Sequence, residues 1–419
     1  MAQLHKKFTD SQVKELIERY LRNEIKRSHL QEILGIKRRR FCTLVNMYRN
    51  NPDSFSIQYC RKKPSRSIDQ NTENNILKEL KVEQKLIKNK DIPIKCYNYS
   101  FIKNQLERNH KQKVSLPTII NRAKQHGFYF KRPKRKAHDR EVLTNYAGEL
   151  IQHDTSFHLW APHAREKWYL ITSLDDFSRF ILYAILIKKE SSWAHIMALQ
   201  SIFLRYGIPY SFYVDSHSIF RFVQGRDSRW RKHYLLTDDV DTQWEQVMGD
   251  CKVNVIHALS PQAKGKIERP YSWIQDHLVR LCVRDNVTEI KDARAVLADE
   301  IHQYNYHRIH STIKEIPYIR LKKALKDKQT LFRPFAIKPP FRSLKDIFCL
   351  RMDRTTNAYR KISINNIELR VNHAPVCEKI NLRIYPNEKT GLSEIRFWHK
   401  DKLLDIQKLK NEDLNIVHF

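Results

Sequence analysis

Three acidic residues stand where a strand or a helix would present their side chains. Asp154 lies at the polar break in IQHDTSF, Asp215 ends the apolar run FYVD, and Glu268 lies in KGKIERPYSW, where a helix opens. Carboxylate oxygens are the hard ligands that Mg²⁺ or Mn²⁺ prefers. Two such ions about 3.5–4 Å apart activate the attacking oxygen and stabilise the leaving oxygen of a phosphodiester displacement. Taken singly, each acid is more often a turn or capping residue.

The charge of the chain points to the same class of substrate. The 419 residues include 77 Lys and Arg against 46 Asp and Glu, a formal net charge of +31. Such an excess favours a polyanionic partner, because Lys and Arg that neutralise phosphates release condensed counterions. Nucleic acid is therefore the first expectation. The apolar fraction of 41% is enough to build cores, which excludes a wholly disordered basic chain.

Membrane and exported classes are not expected. The longest apolar run, Phe180 to Ile187, is far shorter than the ~20 residues of a membrane helix. The first residues, MAQLHKKFTDSQ, contain neither an apolar core nor a small-residue cleavage site of a signal peptide. The seven cysteines are scattered without a C-x-x-C pair, which argues against a disulfide framework and fits a reducing compartment.

The N-terminal residues have the pattern of a helix-turn-helix unit. Apolar residues recur at helical spacing from residue 9 to 21, a short helix follows around residues 28 to 34, and Gly35 turns the chain. A third helix then opens with Arg38, Arg39 and Arg40. In a helix-turn-helix the last helix enters the major groove of DNA. The alternative is an ordinary three-helix bundle with a solvated basic face.

A second helical region follows between residues 71 and 127. Three helices are expected at about 72–89, 100–109 and 115–126, the last with Ser115 as N-cap, Pro117 early in the helix and Gly127 at its end. The chain then becomes strongly basic. We interpret this segment as a linker that follows the DNA backbone, with a solvated linker as the alternative. Its DNA-binding candidates are Lys131, Arg132, Lys134 and Arg135.

From about Leu150 the composition changes to segments rich in β-branched and aromatic residues, which predicts strands. A helix from residue 192 to 206, ending at Gly207, separates the third of these strands from the fourth, and a long helix follows from about residue 274. This order predicts an α/β core. The last residues, 344–419, alternate short strand-like pieces with turn signals, which predicts a small β-barrel.

The sequence segments around the three acids resemble those of one family. QHDTSFH, YLITSLDDFSRFILYAIL, YVDSHSIFR and SPQAKGKIER are similar to the catalytic core of the DDE transposases and retroviral-type integrases, over about residues 140 to 320. The resemblance implies a ribonuclease H-like fold in which Asp154, Asp215 and Glu268 are the catalytic residues and hold Mg²⁺ or Mn²⁺. It also implies that Lys264 and Lys266 contact DNA near the scissile phosphate.

The expected architecture is therefore multidomain, with all-α helix-turn-helix units, a ribonuclease H-like core and a C-terminal barrel. The expected boundaries are 1–60 for the first DNA-binding domain, 66–130 for the second, 131–145 for the basic linker, 146–320 for the core and 344–419 for the barrel. By resemblance to bacterial insertion-sequence transposases, we expect DNA as partner (the terminal inverted repeats of a mobile element and target DNA), a homo-multimer on DNA, and a cytoplasmic, nucleoid-associated location.

Two features depart from the family pattern: the spacing of the second and third acids, and the position after Asp215, where Ser216 replaces the usual glycine. The second and third acids are separated by 53 positions, more than is usual, and the extra length reads as an inserted loop between Phe220 and Thr242. In that loop Trp230 stands among basic residues and is a candidate for holding unpaired DNA, with a loop of no specific role as the alternative. Pro270 follows Glu268 by two residues, so the helix should begin close to that proline. If the helix started four residues earlier, Glu268 would be badly placed.

Other acids are expected to be structural. Asp175 and Asp176 in SLDDFSR match a strand-end motif of the family, with Arg179 as an ion-pair partner for one of them. The function that these observations favour is that of a transposase that cleaves element ends and transfers the strand into target DNA. Two alternatives stay open at this point: a non-catalytic, sequence-specific DNA-binding protein derived from a transposase, and a plain nuclease of the same fold.

Overall fold

The computed structural model describes residues 4–58, 68–130, 144–215, 219–220, 242–257, 265–365 and 367–414, with the backbone alone for residues 265–270. The chain forms two compact units, residues 1–74 and residues 75–419. Lys131, Arg132, Lys134, Arg135 and Lys264 lie outside the described residues, as does the inserted segment 221–241 with Trp230.

The first unit contains the three predicted helices, α1 (Asp10–Leu21), α2 (Arg27–Leu34) and α3 (Arg38–Asn50). Thr9 begins α1 with a capping box to Gln12, which satisfies two otherwise unpaired backbone N–H groups. Gly35 ends α2 in the left-handed conformation, at φ 61°, which a residue without a Cβ adopts without strain. The helices share one apolar core: Val13, Ile17, Leu30, Leu34, Phe41, Leu44 and Val45.

Three further helices precede the sheet: α4 (Gln70–Lys88), α5 (Tyr99–His110) and α6 (Leu116–Gln125). Asn98 caps α5 by accepting from the backbone of Phe101, and Ser115 caps α6 by accepting from Thr118. The predicted positions of Ser115 and Pro117 at the opening of α6 are confirmed. These helices belong to the compact unit that also contains the sheet.

The centre of the second unit is a mixed five-stranded sheet with the order β3-β2-β1-β4-β5. Its strands are β1 (Leu150–His158), β2 (Trp168–Asp175), β3 (Ile181–Ile187), β4 (Ser211–Val214) and β5 (Asn254–His257). Strands β1 to β3 form an antiparallel meander, whereas β4 pairs in parallel with both β1 and β5. The predicted α/β core is therefore confirmed.

Helices cover both faces of this sheet. The helices of this region are α7 (Ser192–Tyr206), α8 (Gln243–Asp250), α9 (Gly265–Arg284), α10 (Ile290–Tyr306) and α11 (Pro317–Lys326). Buried residues of α7 and α8 share one apolar cluster with Ile151 and Phe212 of the sheet. Buried residues of α9 and α10 share another with Leu170 and Leu174. The sheet thus lies between two packed layers of helices.

The C-terminal residues form α12 (Leu344–Ile347) and six strands: β6 (Leu350–Thr355), β7 (Lys361–Ile364), β8 (Ile367–Arg370), β9 (Lys379–Asn387), β10 (Leu392–His399) and β11 (Lys402–Lys410). In the described part of the chain they pair as a four-stranded antiparallel sheet, β11-β10-β9-β6, and a separate hairpin, β7-β8. A closed barrel is not confirmed. The sheet shares its buried apolar cluster with α7 and α8, so it is packed on the central core.

The start of α9 differs from the expectation. The helix begins at Gly265, so Pro270 is its sixth residue rather than its first or second. The prediction that the helix starts close to Pro270 was wrong by about one turn, and Glu268 is the fourth residue of the helix, the placement that was expected to be unfavourable. The first four N–H groups of a helix have no partner inside the helix, so a proline at one of those positions loses no hydrogen bond. Pro270 lies beyond them.

No helix in the described ranges is both long and apolar enough to span a bilayer.

Candidate active site

The first two acids stand at the same level on neighbouring strands. The parallel ladder pairs Leu150 with Ser211, Ile151 with Phe212 and Gln152 with Tyr213. Continued by two residues, this register sets Asp154 opposite Asp215, which directly follows the last residue of β4. Paired residues of parallel strands point to the same face, and the strands are about 4.8 Å apart. In this continued register the two carboxylates, separated by 61 positions in the sequence, belong to the same face of the sheet.

The face on which Asp154 lies is the face that α9 covers. Asp154 pairs with Thr172 in the antiparallel ladder, between the pairs that contain Leu170 and Leu174. Side chains two residues apart on a strand share a face, and so do directly opposed side chains. Leu170 and Leu174 pack against Ile274 and other residues of α9. The catalytic candidates on β1 and the helix that contains Glu268 are consequently adjacent.

Tyr271 joins these two elements directly. It lies on α9, three residues after Glu268, and its hydroxyl donates a hydrogen bond to the backbone carbonyl of Asp154. Burial, reinforced by the nearby Asp154 carboxylate, raises the pKa of Tyr271 well above its ordinary value. The phenol therefore stays protonated and remains a donor. It fixes the first turns of α9 against the middle of β1.

Glu268 is described only through the backbone of α9, and its side chain lies outside the described residues, as does that of Lys266. Residues three positions apart on a helix lie on the same side of it. Within the described residues, no three His, Cys, Asp or Glu side chains are grouped so that they could hold a metal ion. The donor chemistry of Asp154 and Asp215, two carboxylates on one face, fits a hard divalent cation.

A chain of buried hydrogen bonds supports β1 from the opposite face. His153 Nδ1 is 2.7 Å from Ser173 Oγ, and His153 Nε2 is 2.8 Å from His195 Nδ1 on α7. His195 Nε2 is in turn 3.0 Å from Glu190 Oε1. A carboxylate accepts, so with neutral rings each imidazole donates through Nε2 towards Glu190 and accepts at Nδ1. The chain ties the residue next to Asp154 to the N-terminus of α7.

A buried ionic cluster holds the far half of α9 against the helices that precede the sheet. Arg280 on α9 and Glu83 on α4 are both fully buried and form an ion pair. Arg280 also donates to the backbone carbonyl of Cys96 at 2.6 Å and to Asp276 at 2.9 Å. Asp276 accepts a further hydrogen bond from Asn98, the N-cap of α5. Buried charges of this kind require partners, so the contact specifies one position of the helix.

Further contacts extend this cluster along the same surface. Arg284 pairs with Glu79 on α4, and Arg108 on α5 pairs with the buried Glu300 at 2.8 Å. Glu300 is also 3.2 Å from Nδ1 of His277, whose ring packs edge-on against Phe101. The apolar residues that complete the contact are Leu86, Ile92, Ile94, Val279 and Val283. Helices α4 and α5 are thus fastened to the helix that contains Glu268.

The other acidic candidates form a structural turn. Arg179 pairs with Asp176 at 2.8 Å, as predicted, and Asp176 accepts from Gln152 and Thr144. Asp175 accepts from the backbone of Gly148 and from Ser178. Burial raises the pKa of Asp175 to about 6, because the charged form loses hydration that its hydrogen bonds only partly replace. The expected structural role is confirmed.

The DNA-binding candidates whose side chains are described lie in the first unit. Arg38, Arg39 and Arg40 are exposed in the first turn of α3, and the preceding Lys37 makes no side-chain cap. Cations at the N-terminus of a helix face the positive end of its dipole, which is unfavourable without a bound anion. This arrangement favours contact with phosphate.

Sequence reasoning missed Tyr271, the pair of buried histidines and the Arg280–Glu83 pair. Tyr271 could have been found from its position one turn after Glu268. His153 could have been suspected because it directly precedes Asp154. Nothing in the sequence connects Glu83 with Arg280, which are separated by 197 positions and meet only in the folded chain.

The chain is similar to two curated transposases. It is 26% identical over 246 residues to "Putative transposase y4bF" of Sinorhizobium fredii, a match over 58% of this chain and 49% of that protein. It is 28% identical over 204 residues to the transposase for insertion sequence IS1202 of Streptococcus pneumoniae, over 49% of this chain and 41% of that protein. The matched region thus spans half or less of each relative. The predicted resemblance to transposases is confirmed.

Solved structures of retroviral integrases are also similar. The HTLV-2 integrase catalytic core domain in complex with magnesium aligns with 43% of this chain and 98% of its own, at 15% identity and a TM-score of 0.30. The simian T-cell lymphotropic virus intasome in complex with the PP2A regulatory subunit B56 gamma aligns with 72% of this chain, at 13% identity and a TM-score of 0.33. No protein-family model matches the chain.

Proposed function

We propose that this protein is a DNA transposase, a polynucleotidyl transferase with a ribonuclease H-like core that cuts DNA at the ends of a mobile element and joins the freed strand to target DNA. The observation that carries the proposal is the common level of Asp154 and Asp215 on adjacent parallel strands, beneath the helix that contains Glu268. The sequence similarity to two transposases supports it. An excess of 31 positive charges fits a DNA substrate.

Asp154, Asp215 and Glu268 are the residues that would hold Mg²⁺ or Mn²⁺. When bound, two such ions activate the attacking oxygen and stabilise the leaving oxygen. Water would attack the phosphodiester bond at the element end, leaving a 3′-hydroxyl on one product and a 5′-phosphate on the other. The 3′-hydroxyl would then attack a phosphodiester bond of the target, which forms the new joint and releases a target 3′-hydroxyl.

The remaining residues would position these groups. Tyr271 keeps α9 against β1 through a hydroxyl that stays protonated. The chain from Ser173 through His153 and His195 to Glu190 holds β1 from the other face. Lys264 and Lys266 would contact DNA near the scissile phosphate. The contacts of Tyr271 and of the histidine chain would hold β1 and α9 in place before DNA binds.

The helical parts would recognise the element ends. In this proposal α3 enters the major groove as the last helix of a helix-turn-helix, with Arg38, Arg39 and Arg40 on phosphates, and α6 serves as a second recognition helix. Lys131, Arg132, Lys134 and Arg135 would follow the backbone of the DNA. Two ends must be joined, so the working form would be a homo-multimer on DNA, in the bacterial cytoplasm and at the nucleoid. The C-terminal strands would form the small barrel of the family.

The test is cleavage and strand transfer by Asp154→Asn, Asp215→Asn and Glu268→Gln variants on duplexes that carry inverted repeats from DNA flanking the gene. We expect each variant to lose both reactions in Mg²⁺ and to bind the end duplex as the unaltered protein does. Asp292→Asn, an exposed acid in the first turn of α10, is the matched control and should keep activity. Strand transfer by Asp215→Asn near the unaltered rate would refute the assignment. End binding without cleavage by the unaltered protein would favour the non-catalytic DNA-binding alternative.

A further inference from the structure

Four aromatic rings form a nearly parallel series between the start of α5 and the chain that follows α6. Phe130 stacks on Tyr97 with centroids 5.6 Å apart, Tyr97 on Tyr99 at 6.1 Å, and Tyr99 on Tyr129 at 6.2 Å. The angles between successive ring planes are 26°, 13° and 19°. These four residues are called the aromatic series below.

Its inner rings are anchored and its outer rings are open to solvent. Tyr97 is buried, and the Tyr99 hydroxyl donates to the backbone carbonyl of Phe128 at 2.9 Å. The two terminal rings are different, because Tyr129 is 40% exposed and Phe130 is 58% exposed. The series thus presents two flat apolar ring faces to solvent at the ends of an anchored stack.

The two ends of the aromatic series also differ in charge. Lys124 Nζ lies 5.0 Å from the centroid of Tyr129, so a cation occupies that end. Phe130 is the end without a cation over its ring among the described residues. Lys124 belongs to α6, and the sequence directly after Phe130 is KRPKRK. The sequence around the aromatic series is therefore rich in positive charge.

We propose that the aromatic series binds unpaired bases of a DNA strand, with the first base stacked on Phe130. Every nucleobase has a π-face, so aromatic stacking beside a basic surface is the chemistry that holds single strands without reading their sequence. The inference rests on the proposed function and deepens it, since it names unpaired DNA as a ligand of this helical region. It assigns to residues 97–130 a second contact besides the major-groove contact of α6.

The test is equilibrium binding of the full chain to fluorescein-labelled dT20 and to a 20-base-pair duplex, in EDTA. Phe130→Ala should weaken dT20 binding about five- to 150-fold, the equivalent of ~1–3 kcal/mol for one stacked base, and change duplex binding less than about twofold. Phe130→Leu keeps apolar bulk without a flat ring and should weaken binding similarly. Phe130→Trp should retain the affinity. In the unaltered protein, a 2-aminopurine within the strand should be quenched on binding.

Phe157→Ala is the matched control. Phe157 is 54% exposed, lies 4.4 Å from the Tyr169 ring and has Lys167 5.7 Å from its own centroid. Equal losses for Phe157→Ala and Phe130→Ala would refute a site at Phe130, as would full affinity in Phe130→Leu or equal losses on both DNAs. The assay contains no divalent metal and measures no cleavage. A chain without transposase activity could therefore still pass it, and failure here would leave the proposed catalysis untouched.

Discussion

Replacing Arg280 with methionine would leave the Glu83 carboxylate fully buried without its ion-pair partner. Burial already raises the pKa of Glu83 above its ordinary value, although the Arg280 charge opposes the shift. Removing one partner of a buried pair costs on the order of 3–5 kcal/mol. The Arg280→Met variant should therefore lose about this much stability in the contact between α9 and α4.

The stability lost in Arg280→Met should depend on pH, because the unpaired Glu83 carboxylate can take up a proton. Protonating a carboxyl of ordinary pKa about 4.3 costs about 4 kcal/mol at pH 7 and about 1 kcal/mol at pH 5, which limits the penalty at each pH. A group whose folded pKa is raised above its unfolded value stabilises the fold below the unfolded pKa and less as pH rises. The variant should therefore approach the unaltered protein on acidification.

Hydrogen exchange of α9 peptides, followed by mass spectrometry, measures the effect where it arises. Protection of the slowest amides in Arg280→Met should fall by about 10³-fold at pH 7 and about five-fold at pH 5, after correction for intrinsic exchange rates. Glu83→Leu leaves Arg280 with Asp276 and the Cys96 carbonyl as partners. Arginine does not titrate in this range, so the loss of protection should be nearly constant between the two pH values. The double variant should recover much of the protection.

Lys103→Met supplies the control, since Lys103 forms an exposed pair with Glu107 at 3.7 Å on α5. Exposed pairs of this kind contribute at most about 1 kcal/mol, so protection of α9 should hardly change. A loss in Arg280→Met that is the same at pH 5 and pH 7 would refute the argument from a stranded carboxyl. Unchanged protection at both pH values would show that the ionic cluster does not hold α9.

Two further predictions concern binding and stability. Changing Arg38, Arg39 and Arg40 to Ala should weaken binding of an end duplex. It should also lower the slope of log affinity against log salt by about one unit for each phosphate that the arginines no longer neutralise. Anisotropy titrations at several salt concentrations measure this slope, and an unchanged slope would mean that the arginines form a solvated basic face. Asp175 has a folded pKa of about 6, raised from 3.8, so its contribution to stability should decline as pH rises from about 4 to about 6. Urea midpoints across that range should fall less steeply for Asp175→Asn, and identical slopes for the two proteins would contradict the raised pKa.

Much of the site's local structure was predictable from the sequence, because short-range signals determine it. Ser115 and Pro117 predicted the start of α6, and the residues around Gly35 predicted the turn before α3. Asp154 and Asp215 ended or interrupted apolar runs, which is how a strand delivers a polar side chain to one edge of a sheet. Their equal level, however, depends on strand register, and register is a property of the assembled sheet.

The rest was not predictable because it depends on contacts between distant residues. The sequence gives no sign that α4 and α5 pack on α9, since the partners of Arg280 and Glu300 lie almost two hundred residues upstream. The early start of α9 is a second example. Pro270 is a strong local signal against a preceding helical turn, and the assembled unit overrides that preference.

The buried ionic cluster also determines how such a protein could be given a new DNA specificity. Exchanging residues 75–130 for a foreign recognition domain would remove Glu79, Glu83 and Arg108 and leave their partners on α9 and α10 exposed or unpaired. A graft there would have to carry over the α4 and α5 surface intact. The unit that ends at residue 74 has its own apolar core, so it is the natural place for an engineered replacement.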